Sequence, residues 1–226
     1  GQYLTVGCKV GDSYVARPYA ISSAPKAALN KQVAVTVKKC GFFSGYLFDK
    51  AVVGDVFTLG DPSGEFCFEP VKDSKNVLAI AGGSGITPFY SMAQSIKDGT
   101  SDFSMTILYG AKTEKDIIFK SELDALASDK IKVVYVLSDE KKDGFEHGFI
   151  SADIIKKYVS GDFTVMMCGP QAMYSFLDKE LKEFNLPLKR VKKEANCVGM
   201  RDVKETEHKL SVHIGFDKYE IKALST

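Results

Sequence analysis

The chain has 226 residues, 45% of them hydrophobic and 26% charged, with 30 basic residues against 29 acidic ones for a net charge of +1. That balance excludes a disordered or collagen-like chain and the electrostatic footprint of a nucleic-acid-binding domain. At roughly 150 residues per domain the length calls for two unequal units, each with its own core.

The longest apolar runs, such as Val77-Leu78-Ala79-Ile80-Ala81, are far short of the roughly 20 residues that a membrane span needs, so no span is expected. Gly1 opens into an alternating segment without a charged leader or cleavage site, which reads as a start inside a strand of a cytoplasmic protein. The cysteines, Cys8, Cys40, Cys67, Cys168 and Cys197, lie far apart. None stands at ligand spacing from His147, His208 or His213, and no metal is expected.

β-Branched and aromatic segments over residues 3–10, 14–22, 32–38 and 55–59, broken by Gly, Pro and Ser, predict an antiparallel all-β unit. It carries Arg17-Pro18-Tyr19-Ala20-Ile21-Ser22-Ser23, where a cation, an aromatic ring and hydroxyls stand on stiffened backbone. Such a set suits either a flat anionic cofactor or an ordinary strand and loop. Gly41-Phe42-Phe43-Ser44-Gly45 offers amides for an anion ahead of a short helix.

From Lys75 the pattern changes. Apolar strands over residues 77–81, 105–110, 133–138 and 163–169 each precede an amphipathic stretch, which predicts a parallel sheet covered by helices. Between the first strand and its helix lies Gly82-Gly83-Ser84-Gly85-Ile86-Thr87-Pro88. Its backbone N–H groups can approach a pyrophosphate, or it is a tight turn without a ligand. The Rossmann spacing does not fit, because Pro88 replaces the third glycine. Pro88 and Pro170 suit first turns of helices, and Thr113-Glu114-Lys115-Asp116 suits a capping box before a helix over residues 117–126. In the last helix Met173, Phe176, Leu177, Leu181 and Phe184 form a stripe that predicts one buried face. Gly83, Gly110, Ser138 and Cys168 close the four strands, where ligands of open parallel sheets collect. Cys168 reads equally as a small buried residue. The run Lys189-Arg190-Val191-Lys192-Lys193 is either a docking patch or a solvated edge. Past Glu194 a polar linker over residues 199–207 leads to a hairpin over 210–214 and 219–221, which needs more sheet to be stable and so reads as the start of a third domain.

In this order the segments resemble the ferredoxin-NADP reductase family from about Gln2 to Glu194. Arg17-Pro18-Tyr19-Ala20 is similar to its R-x-Y-S/T flavin motif, Gly41-Phe42-Phe43-Ser44 to its G-x-x-S pyrophosphate loop, and Pro62-Ser63-Gly64-Glu65-Phe66 to its P-x-G-x-F barrel ending. The glycine turn, Tyr109-Gly110-Ala111-Lys112 and Cys168-Gly169-Pro170 resemble its G-G-x-G-I-x-P, Y-G-x-R and C-G-P nicotinamide motifs. The resemblance implies an incomplete flavin-binding β-barrel over residues 1–70 and a parallel-sheet α/β nucleotide-binding domain over 71–196. The linker and hairpin over 197–226 resemble the opening of a plant-type [2Fe–2S] ferredoxin domain, whose cluster would belong to a longer chain.

It further implies an enzyme, an NAD(P)H-dependent flavoprotein reductase passing a hydride to FAD and then electrons to an iron–sulfur centre or a redox partner protein. The rival is a non-catalytic dinucleotide-binding subunit of a larger assembly. FAD would be held by Arg17, Pro18, Tyr19, Ala20, Ser22, Ser23, Val37, Lys38, Gly41, Phe42, Phe43 and Ser44. Because Ala20 stands where the family has Ser or Thr, Ser22 or Ser23 would supply the hydroxyl. NAD(P)H would be held by Gly82, Gly83, Ser84, Gly85, Thr87, Pro88, Tyr109, Gly110, Ala111, Ser138, Asp139, Cys168, Gly169, Pro170 and Met173. Cys168 and Thr87 would be the catalytic pair beside the nicotinamide. Glu194-Ala195-Asn196 replaces the family's aromatic beside the flavin. Asp139 repels a 2′-phosphate and gives a slight lean to NADH over NADPH, against which Lys112 counts.

Overall fold

The computed structural model describes residues 1–194 and the backbone of residues 207–214 and 217–224. The chain divides into two compact units, Gly1–Glu194 and Ala195–Thr226.

The first unit opens with β1 (Tyr3–Val10), paired antiparallel with β2 (Ser13–Ala20) from Tyr3↔Ala20 to Val10↔Ser13. The turn between them uses Gly11 at φ +61°, a conformation that costs glycine nothing. The alternation of β1 turns Leu4 and Val6 inward. A short helix α1 (Phe42–Lys50) and the two-residue β3 (Thr58–Leu59), on the other edge of β1, complete a three-stranded sheet β2-β1-β3.

Two of the predicted strands shrink. Only Thr58 and Leu59 of residues 55–59 pair, and residues 32–38 reduce to one bridge, Ile21↔Val35. The reason is side-chain competition for the backbone. The Ser23 hydroxyl accepts from the Ala34 N–H at 3.0 Å, and the Thr36 hydroxyl donates to that of Ser22 at 3.0 Å, so side-chain bonds between the two segments take the place of a ladder.

The rest of this unit is a six-stranded sheet, parallel throughout. Its elements are β4 (Asn76–Gly82), α2 (Thr87–Lys97), β5 (Ser104–Ala111), α3 (Lys120–Leu126), β6 (Ile131–Leu137), β7 (Glu146–His147), α4 (Ala152–Tyr158), β8 (Thr164–Cys168), α5 (Gln171–Glu180) and β9 (Val191–Lys193). The spatial order is β7-β6-β5-β4-β8-β9. Residues 77–81 are wholly inaccessible, as a continuous apolar strand covered on both faces must be. From β4 the chain builds outward through β5, β6 and β7, then returns to the opposite side of β4 for β8 and β9. The order therefore reverses at β4 and β8, and by the rule for open parallel sheets the crevice lies at their carboxyl ends.

Two helix readings are corrected. The capping box at Thr113 forms, but it caps a single 3-10 turn, Glu114–Asp116; α3 begins only at Lys120. Phe119 interrupts at φ +61°, its ring stacked 4.3 Å from that of Tyr90 on α2, so tertiary packing overrides local propensity. In the last helix Leu177 and Leu181 are buried as their spacing predicts, but Phe176 is 39% exposed and Tyr174 takes its place in the core. Met173 and Phe184 are half-buried, and Leu181–Phe184 tighten into a 3-10 turn. Pro88 lies in the first turn of α2, whereas Pro170 precedes α5 as its N-cap.

The sheet of the first seventy residues is fixed to α2 by two short bonds. Ser91 Oγ donates to the Ser23 carbonyl at 2.6 Å and Gln94 Nε2 to the Ser22 carbonyl at 2.9 Å. At the far edge the Lys192 ammonium, on β9, binds the Cys67 carbonyl at 3.0 Å, Glu69 at 3.1 Å and Asp73 at 2.6 Å.

The second unit has β10 (Glu207–Ile214) and β11 (Asp217–Leu224), paired antiparallel from Glu207↔Leu224 to Ile214↔Asp217, longer than the predicted hairpin. The predicted linker residues 199–206, the turn residues Gly215 and Phe216, and Ala195 and Asn196 lie outside the described residues. Among the described residues no helix is long and apolar enough to cross a membrane.

Candidate functional site

At the end of β4, Gly83–Ile86 form one 3-10 turn that leads directly into α2. Its glycines have different reasons. A Cβ on Gly85 would stand 2.0 Å from the Cys168 carbonyl oxygen, one on Gly82 2.8 Å from Met173 Sδ, and one on Gly169 2.3 Å from Met173 Cε. Gly85 lets the turns after β4 and β8 pack backbone against backbone, whereas Gly82 and Gly169 make room for the Met173 side chain. Gly83 alone is different: it has φ +54°, and a Cβ there would meet nothing within 4 Å. Beside it Ser84 is exposed. An anion can thus approach the N–H groups of this turn at Gly83, where the chain leaves space.

The turn is held from beneath. Tyr109 is wholly buried, and its hydroxyl donates to the Gly83 carbonyl at 2.9 Å while accepting from the Ile118 N–H at 3.1 Å. Burial pushes its phenol up to about 12. The Thr87 hydroxyl donates to the Ser84 carbonyl at 3.1 Å, and the side chain is buried, so it serves the turn itself. Pro88 is buried in the same turn of helix.

The other strand ends line up beside it. Gly110, Ala111 and Ser138 are half-buried, and Asp139 and Pro170 are exposed. The Ser138 and Asp139 N–H groups donate to the Ala111 and Lys112 carbonyls, both at 3.0 Å, which ties the end of β6 to that of β5. Cys168 is 7% exposed at the base of the crevice. The Gly169 N–H donates to the Tyr174 hydroxyl at 3.1 Å, which itself donates to the Glu194 carbonyl at 3.0 Å.

Sequence reasoning missed Tyr174, which the C-G-P turn needs as its support, and the aromatic pair Phe149 and Phe176. Their rings lie 6.0 Å apart and are 71% and 39% exposed. Phe176 follows Met173 by one helical turn, so the pair extends the same surface outward from Gly82. The signal was present in the stripe of α5, which is one residue wider than its core requires.

In the β unit the predicted residues divide. Arg17 is exposed, its guanidinium donating among the described residues to the adjacent Ala16 carbonyl at 2.7 Å. Tyr19 and Ala20 are half-buried, Pro18 is exposed, and the Tyr19 ring lies 6.5 Å from that of Phe43, so the structure brings the two flavin-like motifs together. Gly41, at φ +92° with open space where a Cβ would lie, starts α1, whose first N–H groups on Phe42, Phe43 and Ser44 point out of the helix end. The Ser44 hydroxyl is turned inward, donating to the Cys40 carbonyl at 2.6 Å and accepting from its N–H at 2.8 Å. The Ser22 and Ser23 hydroxyls accept from the Thr36 hydroxyl and the Ala34 N–H. Val37 is half-buried and Lys38 exposed. The Asp116 carboxyl, on the loop after β5, is held below its usual range first by the Thr113 hydroxyl and N–H and then by Lys112 and Lys38.

The fit of the two groups that the residues suggest is favourable. An open glycine at a helix start stands in each half, with an exposed arginine in one and the sheet's reversal point in the other. A cavity of about 550 Å³ lies elsewhere, bounded by Leu4, Ile21, Leu59, Phe68, Met92 and Phe103, and Ser23 alone of the candidate residues lines it. The basic run is used internally. Arg190 pairs with Asp162 at 3.2 Å, Lys192 with Glu69 and Asp73, and Lys193 with Asp178, which leaves little of it for docking. Among the described residues no cluster of three or more His, Cys, Asp or Glu could hold a metal ion.

An antiparallel sheet followed by a parallel sheet that reverses at a glycine turn defines the class of the ferredoxin-NADP reductase fold. A reductase of that name from Neisseria gonorrhoeae, solved with FAD and NADP, superposes with a TM-score of 0.70 at 21% identity, over 85% of both chains. An intact type IV self-sufficient cytochrome P450 monooxygenase matches 98% of this chain and 27% of its own, with a TM-score of 0.64 and 18% identity.

Residues 79–179 match the oxidoreductase NAD-binding domain. NADH-cytochrome b5 reductase 1 of Dictyostelium discoideum is 34% identical over 180 residues, 76% of this chain. This chain spans 62% of that relative's length. What these likenesses share with the chain is the ferredoxin-NADP reductase fold.

Proposed function

We propose that the chain is the reductase part of an NAD(P)H-dependent flavoprotein that takes a hydride from the nicotinamide onto FAD and releases electrons to an iron–sulfur or haem partner. One observation carries this reading: two open glycine cradles, at Gly41 and Gly83, belong to one compact unit and are joined by the bonds from α2 to Ser22 and Ser23.

Bound FAD supplies the chemistry, accepting electrons in pairs and releasing them singly. The protein binds, aligns and excludes water. The N–H groups at the start of α1, with Arg17, would take the flavin's diphosphate, and Tyr19 beside Phe43 would pack on its ring. The turn at Gly83 and Ser84 would take the nicotinamide nucleotide's diphosphate. Phe149 and Phe176 offer a stacking surface for its adenine. Cys168, small and almost buried, leaves the ring to lie flat above it. No acid or base is needed for hydride transfer itself; what matters is holding the reacting atoms about 3–3.5 Å apart.

Support for NADH as the donor comes from Asp139, whose carboxylate suits ribose hydroxyls and repels a phosphate, and from the relative named above. A ferredoxin domain continuing β10 and β11 is favoured by the resemblance of that hairpin. The test is an anaerobic titration of FAD-reconstituted protein. Yellow protein bleached by one equivalent of NADH supports the reading. Colourless protein that still binds NADH shows instead that the three-stranded sheet no longer holds flavin and that the chain is a nucleotide-binding subunit.

A further inference from the structure

Ser22 and Ser23 are tied on every side. Their N–H groups donate to the Ala34 carbonyl at 2.8 and 3.4 Å, their hydroxyls accept from Thr36 and Ala34, and their carbonyls accept from Gln94 and Ser91 of α2. This dipeptide is where the β unit and the α/β unit share hydrogen bonds near the two candidate cradles. Ser91 lies one helical turn, about 6 Å, beyond Thr87 at the glycine turn. Ser23 lies at most about 13 Å of extended chain beyond Tyr19. Both spans are backbone in regular or tied conformation, without a long flexible side chain between them.

Resting on the function proposed above, we infer that Ser91 and Gln94 are positioning residues for the hydride step: they set the relative placement of the flavin-side strand and the nucleotide-side turn without touching either group. The chemistry of the two donors makes this specific. Gln94 Nε2 must donate, because the Ser22 carbonyl can only accept. A carboxylate of the same shape in its place would face that carbonyl with a second acceptor.

The test compares the FAD-reconstituted parent at pH 8 with Gln94→Glu, Ser91→Ala and the hydroxyl-retaining Ser91→Thr. Three readouts are used: flavin and NADH affinity by titration, the rate of flavin bleaching at saturating NADH, and the long-wavelength charge-transfer absorbance of the stacked rings. A misplacement of about 1 Å at reacting atoms costs on the order of 100-fold in rate. Gln94→Glu and Ser91→Ala are therefore expected to slow bleaching about 10- to 100-fold and weaken the charge-transfer band, with both affinities within about threefold of the parent. Ser91→Thr should keep the parent's rate. In cofactor-free protein, amide exchange at Ser22 and Ser23 should quicken in the slowed variants while that of β4 stays protected. Unchanged bleaching and an unchanged band in Gln94→Glu overturn the positioning role, as does a loss confined to affinity. A parent that takes up no FAD, or is not bleached by NADH, overturns the underlying reading instead.

Discussion

Removing one oxygen from Tyr109 tests how the glycine turn is held. Tyr109→Phe leaves the ring in its wholly buried place and deletes the hydroxyl that bonds both the Gly83 carbonyl and the Ile118 N–H. Leaving a buried polar group without its partner costs about 1–3 kcal/mol. Both backbone groups here are half-buried and recover part of that from water, so the variant should lose about 2 kcal/mol in urea unfolding at pH 7. The pH dependence supplies an independent check. With the folded phenol pushed up to about 12, above its unfolded value near 10, its contribution is fully present below pH 10 and is lost as pH rises through about 12. The difference corresponds to about 2–3 kcal/mol of alkaline destabilisation in the parent that the phenylalanine variant lacks. The two unfolding curves, separated at pH 7, should approach one another by pH 12. Parallel curves across that range, or a variant as stable as the parent at pH 7, would refute the assignment of the hydroxyl to the turn.

Gly83→Ala should cost about 1 kcal/mol for its left-handed backbone and weaken NADH binding at least tenfold, measured by equilibrium titration. Gly85→Ala, which drives a methyl into the Cys168 carbonyl, should instead cost several kcal/mol of stability by thermal or urea unfolding. In Asp139→Ala the ratio of NADPH to NADH affinity should rise about fivefold to tenfold, since one carboxylate near a phosphate is worth about 1 kcal/mol in water; an unmoved ratio would exclude that residue from nucleotide selection. Lys192→Ala leaves the inaccessible Asp73 carboxylate only the Glu69 N–H, its other oxygen having no hydrogen-bond partner among the described residues, and should cost about 3–5 kcal/mol in urea; restoration by adding Asp73→Asn would confirm the cause.

The parallel sheet is legible because its central strands are mostly apolar and covered on both faces, so residues 77–81 and 105–110 announce themselves without any tertiary information. The β unit was less so. Residues 32–38 alternate like a strand, yet the hydroxyls of Ser22, Ser23 and Thr36 take over the bonds a ladder would have made, a choice that depends on residues more than ten positions away. The start of α3 was misplaced for a similar reason: Tyr90 captures Phe119 across α2, and no local propensity encodes that stacking. Within the candidate site the glycine turn is legible, but spacing does not separate Gly83, which leaves room, from Gly85, which lets backbones touch, or from Gly82 and Gly169, which face Met173. The supports Tyr109 and Tyr174 act through single hydroxyls from other elements, which no motif spacing encodes.

The internal use of Arg190, Lys192 and Lys193 bears on how quickly this protein meets other molecules. Cations committed to neighbouring carboxylates project little field, and a net charge of +1 adds almost none at long range. Encounter with a freely diffusing acceptor through that edge would run near the unassisted rate of about 10⁵–10⁶ per molar per second and vary little with ionic strength. A tethered acceptor faces no such ceiling, because a short linker holds it at an effective concentration of the order of millimolar, and for a molecule of this charge covalent attachment is the more effective route to frequent collisions.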